Sequence, residues 1–219
     1  MRVTGERGSD GAAGQNGSSP QMRINSSNIW EVSYDGGGVW TSLGVPATGV
    51  GGQDGQNYVR LFGSSSGTVQ NVHLVSGRDY VGGISGNGGA SNCHNTGSVS
   101  GSNRYTGGIC GSGSAGSCYN TGSISGAHYT SGICGISTAA VSTCYNAGFT
   151  FGNGNYIGGI CGSSKSWSIT ACCNTANISG GDHYIGGISG NSTSSISACY
   201  SIGAVSGNGR LHRRYLRKD

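Results

Sequence analysis

The chain reads as an all-β protein: a right-handed parallel β-solenoid of about six coils, preceded by a β-hairpin and a flexible collagen-like N-terminal arm. Three observations predict this. A unit that opens on tyrosine recurs at Tyr80, Tyr105, Tyr129, Tyr156 and Tyr184, at intervals of 25, 24, 27 and 28 residues. Glycine is dense, 46 of 219 residues, with no 3.6-residue apolar period, which excludes helices. The apolar fraction, 34%, is low for one compact globule, yet it suits a narrow interior filled by short side chains. Composition alone would suggest disorder. Disordered chains, however, rarely keep Ile, Tyr and Cys at fixed spacing.

Residues 1–19 carry Gly at every third place, Gly5, Gly8, Gly11, Gly14 and Gly17. That is the collagen period, because only Gly fits at a triple-helix axis. Triplets without Pro hold no triple helix alone, so the arm is expected to be loose, with oligomerisation through it open. Residues 20–50 contain "NIWEVSYDGGGVWTSLG", in which Trp30, Val32 and Tyr34 alternate with polar residues and Val39 begins a second run. The glycines of "DGGG" supply positive-φ positions for a hairpin turn. Two strands are marginal in isolation, so Trp30 and Trp40 are expected to pack on a neighbour. Residues 51–57 form a Gly-rich linker.

The repeats occupy residues 58–207, beginning with a divergent copy at Tyr58. Four places after each repeat tyrosine stands Ile84, Ile109, Ile133, Ile160 or Ile188, and a second column holds Cys93, Cys118, Cys144, Cys172 and Cys199. Six residues further lie Val99, Ile124, Thr150, Ile178 and Val205. A unit this short cannot close a core alone. Stacked coils align identical residues in ladders, with Gly and Asn serving the corners. Right-handedness follows from the crossover rule for parallel strands. After Gly207 the text changes to "NGRLHRRYLRKD", and residues 208–219 are expected to be a disordered basic tail.

The unit "YVGGISGNGGASNCHNTGSVSG", from Tyr80 to Gly101, resembles the GLUG motif, with Ile in place of its core Leu. Similar copies span Tyr58 to Gly207. The motif occurs in tandem in secreted and surface proteins of bacteria, including adhesins and one class of immunoglobulin-cleaving peptidases. The leader from Gly5 to Gly44 is similar to those of surface proteins of gut Bacteroidetes. The resemblance implies a surface or secreted accessory region, and it carries over no catalytic residue.

Candidate chemistry is sparse. The formal charge of +4 comes from the tail, since Arg210, Arg213, Arg214, Arg217 and Lys218 lie in the last ten positions, so no nucleic-acid partner is indicated. No run reaches membrane-spanning length, and the start has no apolar signal core. The expected location is therefore extracellular or cell-surface, with the export signal outside this chain. No metal site or cofactor is expected: the nine cysteines contain no C-x-x-C pair, and Asn155 separates His128 from His183 in the repeat pattern. Cys110, Cys134 and Cys161 form a further column, and the leading reading of all the columns is a reduced core ladder, with inter-coil disulfides second. Within the repeats the only acids are Asp79 and Asp182, about four coils apart, so the carboxylate pair of a polysaccharide hydrolase cannot form.

The sequence thus predicts a non-enzymatic structural or adhesive stalk at a bacterial surface, with host glycans or surface proteins as partners. The alternatives are a glycan-binding module and a phage tail-fibre segment. In the glycan reading the contacts are Trp167, in the repeat-breaking "SSKSWSITACC", and Tyr119, Tyr145 and Tyr200.

Overall fold

A computed structural model of the chain describes residues 20–27, 29–46, 74–208 and 212–213. The collagen-like arm, the linker, the opening of the copy at Tyr58 and most of the basic tail lie outside the described residues. Among the described residues every regular element is a β-strand. No helix among them is long and apolar enough to cross a membrane.

The N-terminal hairpin carries a third strand. Strand β1 (Gln21–Ile24) pairs antiparallel with β2 (Ile29–Ser33), and β2 with β3 (Thr41–Pro46). Two polar contacts fasten β1: Arg23 Nε donates to Glu31 at 2.6 Å and Asn25 Nδ2 donates to the same carboxylate at 3.1 Å. The hairpin turn is longer than its spelling suggests, because Val39 is exposed and the return strand starts only at Thr41. Asp35 shapes this turn by accepting hydrogen bonds from Ser33 Oγ, Gly38 N and Val39 N. Gly36 and Gly37 take φ of 80° and 102°, as the glycine run predicts. Trp30 is buried and Trp40 lies beneath the Arg23 guanidinium, 4.2 Å from its ring. Ile24 and Trp30 belong to one contiguous buried cluster with Val75, Val81 and Ile84, so the small sheet closes the first end of the solenoid core.

The repeats wind into a parallel β-solenoid of about five turns, a rod about 24 Å long at roughly 4.8 Å per coil. Each turn contributes to four parallel sheets. The first face stacks Val81–Gly82, Arg104–Gly107, His128–Ser131, Ile157–Gly158 and Ile185–Gly186. The second runs from Ser85–Asn87 through Cys110–Gly116, Cys134–Ser142 and Cys161–Ser164 to Ser189–Ser192. The third holds His94–Asn95, Tyr119–Asn120, Tyr145–Asn146, Cys173–Asn174 and Tyr200–Ser201. The fourth begins at Leu74–Gly77, the last strand of the first copy, and ends at Val205–Gly207.

The interior follows the predicted columns. Ile84, Ile109, Ile133, Ile160 and Ile188 all have 0% exposure. The five-cysteine column is buried beside them, as are Val99, Ile124, Thr150 and Ile178. The second glycine of each "GG" is sterically required: a Cβ on Gly108 would sit 2.1 Å from the Gly132 carbonyl oxygen of the next coil. The preceding position is as tight, a Cβ on Gly107 lying 2.0 Å from the Cys110 carbonyl oxygen, although Ser131 occupies it in the third coil.

At the far end, His212–Arg213 pairs in parallel with Ile185–Gly186. At these two residues the basic tail extends the first face instead of leaving it as a disordered segment. Backbone groups of an open sheet edge accept a strand of any spelling, so the loss of the Gly-Ser pattern did not preclude pairing.

Candidate binding surface

Five tyrosines open the coils, and each sits in the left-handed backbone region, with φ of 51° at Tyr80, 61° at Tyr105, 56° at Tyr129, 67° at Tyr156 and 62° at Tyr184. That conformation is costly for a residue with a Cβ. Their rings form one file, with successive centroids 4.8, 4.9, 4.6 and 4.9 Å apart. The stack compensates the backbone strain, since each aromatic contact contributes about 0.5–1.5 kcal/mol beyond area burial. Burial, and then its neighbours Tyr156 and Tyr105, push the Tyr129 phenol pKa upward, so it stays neutral. The residues just before these tyrosines form a polar rail: Asp79 accepts from Arg104 N, His128 Nδ1 from Asn155 N, and Asn155 Oδ1 from His183 N.

A second left-handed corner per coil precedes the cysteine column, at Asn92, Ser117, Thr143, Ala171 and Ala198. After it the chain turns inward at cysteine. Cys93 N donates to Cys118 Sγ at 3.4 Å, Cys144 N to Cys172 Sγ at 3.4 Å, and Cys172 N to Cys199 Sγ at 3.3 Å. Cys110, Cys134 and Cys161 stack in register on the second face. All nine cysteines are free, and only Cys173 is not buried. Burial pushes the Cys161 thiol up to about 12, and the Cys110 thiol together with burial raises Cys134. Those two thiols, held neutral, are neither nucleophiles nor metal ligands, whereas hydrogen bonds with Cys144 and Cys93 draw the Cys118 thiol down and those with Cys144 and Cys199 draw down Cys172. No group of three or more His, Cys, Asp or Glu residues suited to a metal occurs among the described residues.

Two residues beyond each cysteine lies an element the repeat spelling did not reveal as interior. Asn95, Asn120, Asn146 and Asn174 are fully buried and form an amide file closed by Ser201. Asn95 Nδ2 donates to Asn120 Oδ1, Asn120 Nδ2 to Asn146 Oδ1, and Asn146 Nδ2 to Asn174 Oδ1, each at 2.8 Å. Each of these amides also donates to the carbonyl two residues on, as Asn120 does to Gly122 at 2.9 Å. The expected corner role of Asn is thereby corrected: these amides satisfy their donors inside the rod. The signal is present in the "HN", "YN" and "CN" that follow Cys93, Cys118, Cys144 and Cys172.

Of the proposed contact residues, Tyr119, Tyr145 and Tyr200 fall in one column of the third face, with exposures of 41%, 39% and 43%. His94 begins this column, its ring stacked on Tyr119 at 4.5 Å, and Cys173 interrupts it between Tyr145 and Tyr200. Burial holds the His94 pKa below the ordinary imidazole value. Trp167 is exposed but stands apart, on the loop between the second-face strands Cys161–Ser164 and Ile169–Thr170. Sequence reading missed Phe149 and Phe151, which are exposed on the same coil as Tyr145.

No family model matches the chain, and no curated protein matches it. Among solved structures, the chain is similar to one from Bacteroides ovatus described as a "putative immunoglobulin A1 protease", with TM-score 0.59 and 21% identity. The match covers 74% of this chain and 59% of that one. At this identity the likeness shows a shared fold alone.

Proposed function

We propose that the chain is a non-catalytic structural or adhesive stalk of a secreted or surface protein, built of GLUG-like coils. The observation that carries this reading is the uniform filled interior, in which isoleucine, thiol and amide files run from coil to coil. A rod so built is rigid and protease-resistant, and it repeats its surface instead of concentrating reactive groups. The acids support the same reading. Asp79 is engaged with Asn103 and Arg104, while Asp182 lies near His183 on a coil about 19 Å away at the ordinary strand spacing. Glycosidic carboxylates work within about 5–9.5 Å of each other.

The name of the Bacteroides ovatus neighbour raises peptide cleavage, which would need an activated nucleophile. Eight of the nine cysteines are buried away from any substrate, which argues against them in that role. A second reading, glycan binding, is favoured by one observation, the exposed aromatic column Tyr119, Tyr145 and Tyr200.

The test pairs an adhesion assay with a turnover panel. Purified protein immobilised on beads should retain mucin or epithelial surfaces, and it should release no product from immunoglobulin A or a polysaccharide panel. Turnover above a heat-denatured control would overturn the non-catalytic reading, and failure to retain any surface would overturn the adhesive one.

A further inference from the structure

The fourth face breaks its own pattern in one coil. One of its outward columns is serine at Ser76, Ser100, Ser125, Ser179 and Ser206, yet Phe151 stands in register between Ser125 and Ser179. Two residues earlier a second outward column runs from Leu74 to Ala204, and there Phe149 stands between Ser123 and Asn177. Thr150, which separates the two in sequence, is fully buried, while Phe149 and Phe151 are 47% and 40% exposed. Alternate residues of a strand share a side, so the two rings are neighbours on the outer surface. The fold does not call for them, because serine fills the Phe151 position in every other described coil. Two large apolar side chains placed together on an otherwise small and polar face mark a contact surface.

This face is matched to itself. Neither outward column contains Asp, Glu, Lys, Arg or His, so two copies meet without like-charge repulsion or a buried ion. Serine, asparagine and alanine elsewhere in the columns leave room for the rings of a facing sheet. A two-fold interface uses one patch twice. With the axis in the contact plane and along the rod, Phe149 of one copy meets Phe151 of the other, and the reverse contact forms beside it. An axis across the rod is poorer. The strand of Phe151 is the fourth from Leu74–Gly77 in a sheet of six, so Leu74–Gly77 would then face nothing. Along the rod all six strands face a partner strand, and the exposed Leu74 is covered as well. We infer that the fourth face pairs with the fourth face of a second copy, the two rods side by side and pointing the same way. Six strands span about 24 Å and the two outward columns only about 7 Å. The contact therefore stays below the ~800 Å² per partner of a standard interface, and the dimer is weak and reversible.

This inference goes beyond the stalk reading and does not rest on it. Its test is sedimentation velocity of the full chain over a series from about 10 μM to about 1 mM, the range of weak association. The parent should pass reversibly from one copy toward two as concentration rises. Phe149→Ser combined with Phe151→Ser, which restores the small residues of the neighbouring coils, should raise the dissociation constant by about tenfold or more. Phe149→Glu and Phe151→Lys should each be monomeric alone and should associate when mixed, because the two-fold axis sets the new charges opposite each other. Trp167→Ala and Tyr200→Ala, on other faces, should leave the dissociation constant within a factor of about two. Circular dichroism of each variant confirms the fold. The inference is overturned if the parent stays monomeric throughout, or if the double-serine variant associates as the parent does. It is equally overturned if Trp167→Ala or Tyr200→Ala abolishes association, if the glutamate and lysine variants fail to associate on mixing, or if the parent forms a trimer. Bead adhesion by a monomeric parent would sink this interface and leave the stalk standing.

Discussion

The first and third faces of the solenoid both carry aromatic columns, and the two are built differently. On the first face the tyrosine itself occupies the left-handed corner, so ring and strained backbone belong to one residue. The five rings then form one unbroken file, the first two pairs tilted by 38° and 37° and the last two stacked. On the third face the strain falls two residues earlier, on Asn92, Ser117, Thr143, Ala171 and Ala198, whose side chains vary. The aromatic position that follows is free of that constraint and holds His94, Tyr119, Tyr145, Cys173 and Tyr200. Where an aromatic offsets backbone strain it is structural and repeats. Where it does not, it can change from coil to coil, and a change such as Cys173 makes a local surface feature.

The largest effect that bears on this contrast comes from the interior shared by both faces. Asn146→Ala removes the bonds to Asn120 Nδ2, Asn174 Oδ1 and Gly148. It should lower unfolding stability by about 3 kcal/mol, from buried polar groups left without partners. Urea unfolding measures the loss. Hydrogen exchange should rise on both faces, and a rise on one face only would show that the amide file does not couple them.

A sharper division comes from truncating one ring in each column. Tyr129→Ala removes two ring contacts and leaves a Cβ at φ 56° with nothing to offset it, for a loss of about 2 kcal/mol. Tyr129→Gly should lose less, since glycine accepts that backbone freely. Tyr145→Ala breaks an exposed hydrogen bond to Thr175 and uncovers a half-exposed ring position without touching a strained backbone, and should cost less, about 1 kcal/mol. Thermal unfolding of the three variants ranks them. If Tyr145→Ala proved the most damaging, the assignment of structural and surface roles to the two faces would be reversed.

The smallest effect is one of pH. Burial lowers the His94 pKa in the folded state, so the unfolded chain binds the proton more readily. The stability from neutral His94 is therefore fully present above the unfolded value near 6.5 and is lost as pH falls through it toward the lower folded value. A small decline in melting temperature below that pH should vanish in His94→Gln. A decline of equal size in that variant would place the titration elsewhere.

The solenoid was legible because its cause is periodic. One Tyr, one Ile and one Cys per unit of 24 to 28 residues leave stacking as the way to bury them, and those columns are the ones that line up. The hairpin was legible in its turn glycines but not in its size. Strand β1 is held by its antiparallel register with β2, and the Arg23–Glu31 pair across the two strands is announced by no local pattern. The candidate surface was read in part: Tyr119, Tyr145 and Tyr200 were distinguishable as exposed positions beside cysteine, whereas Phe149 and Phe151 follow no repeat.

The sequence by itself determined the coil length, the isoleucine and cysteine columns that face inward and the absence of helix among the described residues, since periodicity of side chains dictates those directly. Only the tertiary structure decided which columns stack continuously and which are interrupted. Inter-coil contacts join residues 24 to 31 positions apart, and spelling within one unit does not say how a ring will lean against the next. Asparagine shows the division well. Its recurrence two places after Cys93, Cys118, Cys144 and Cys172 is written in the chain, but its burial arises because coil stacking sets one amide's donors at 2.8 Å from the next amide's oxygen. That distance is long-range geometry, and it turns a corner-favouring residue into the polar spine of the rod.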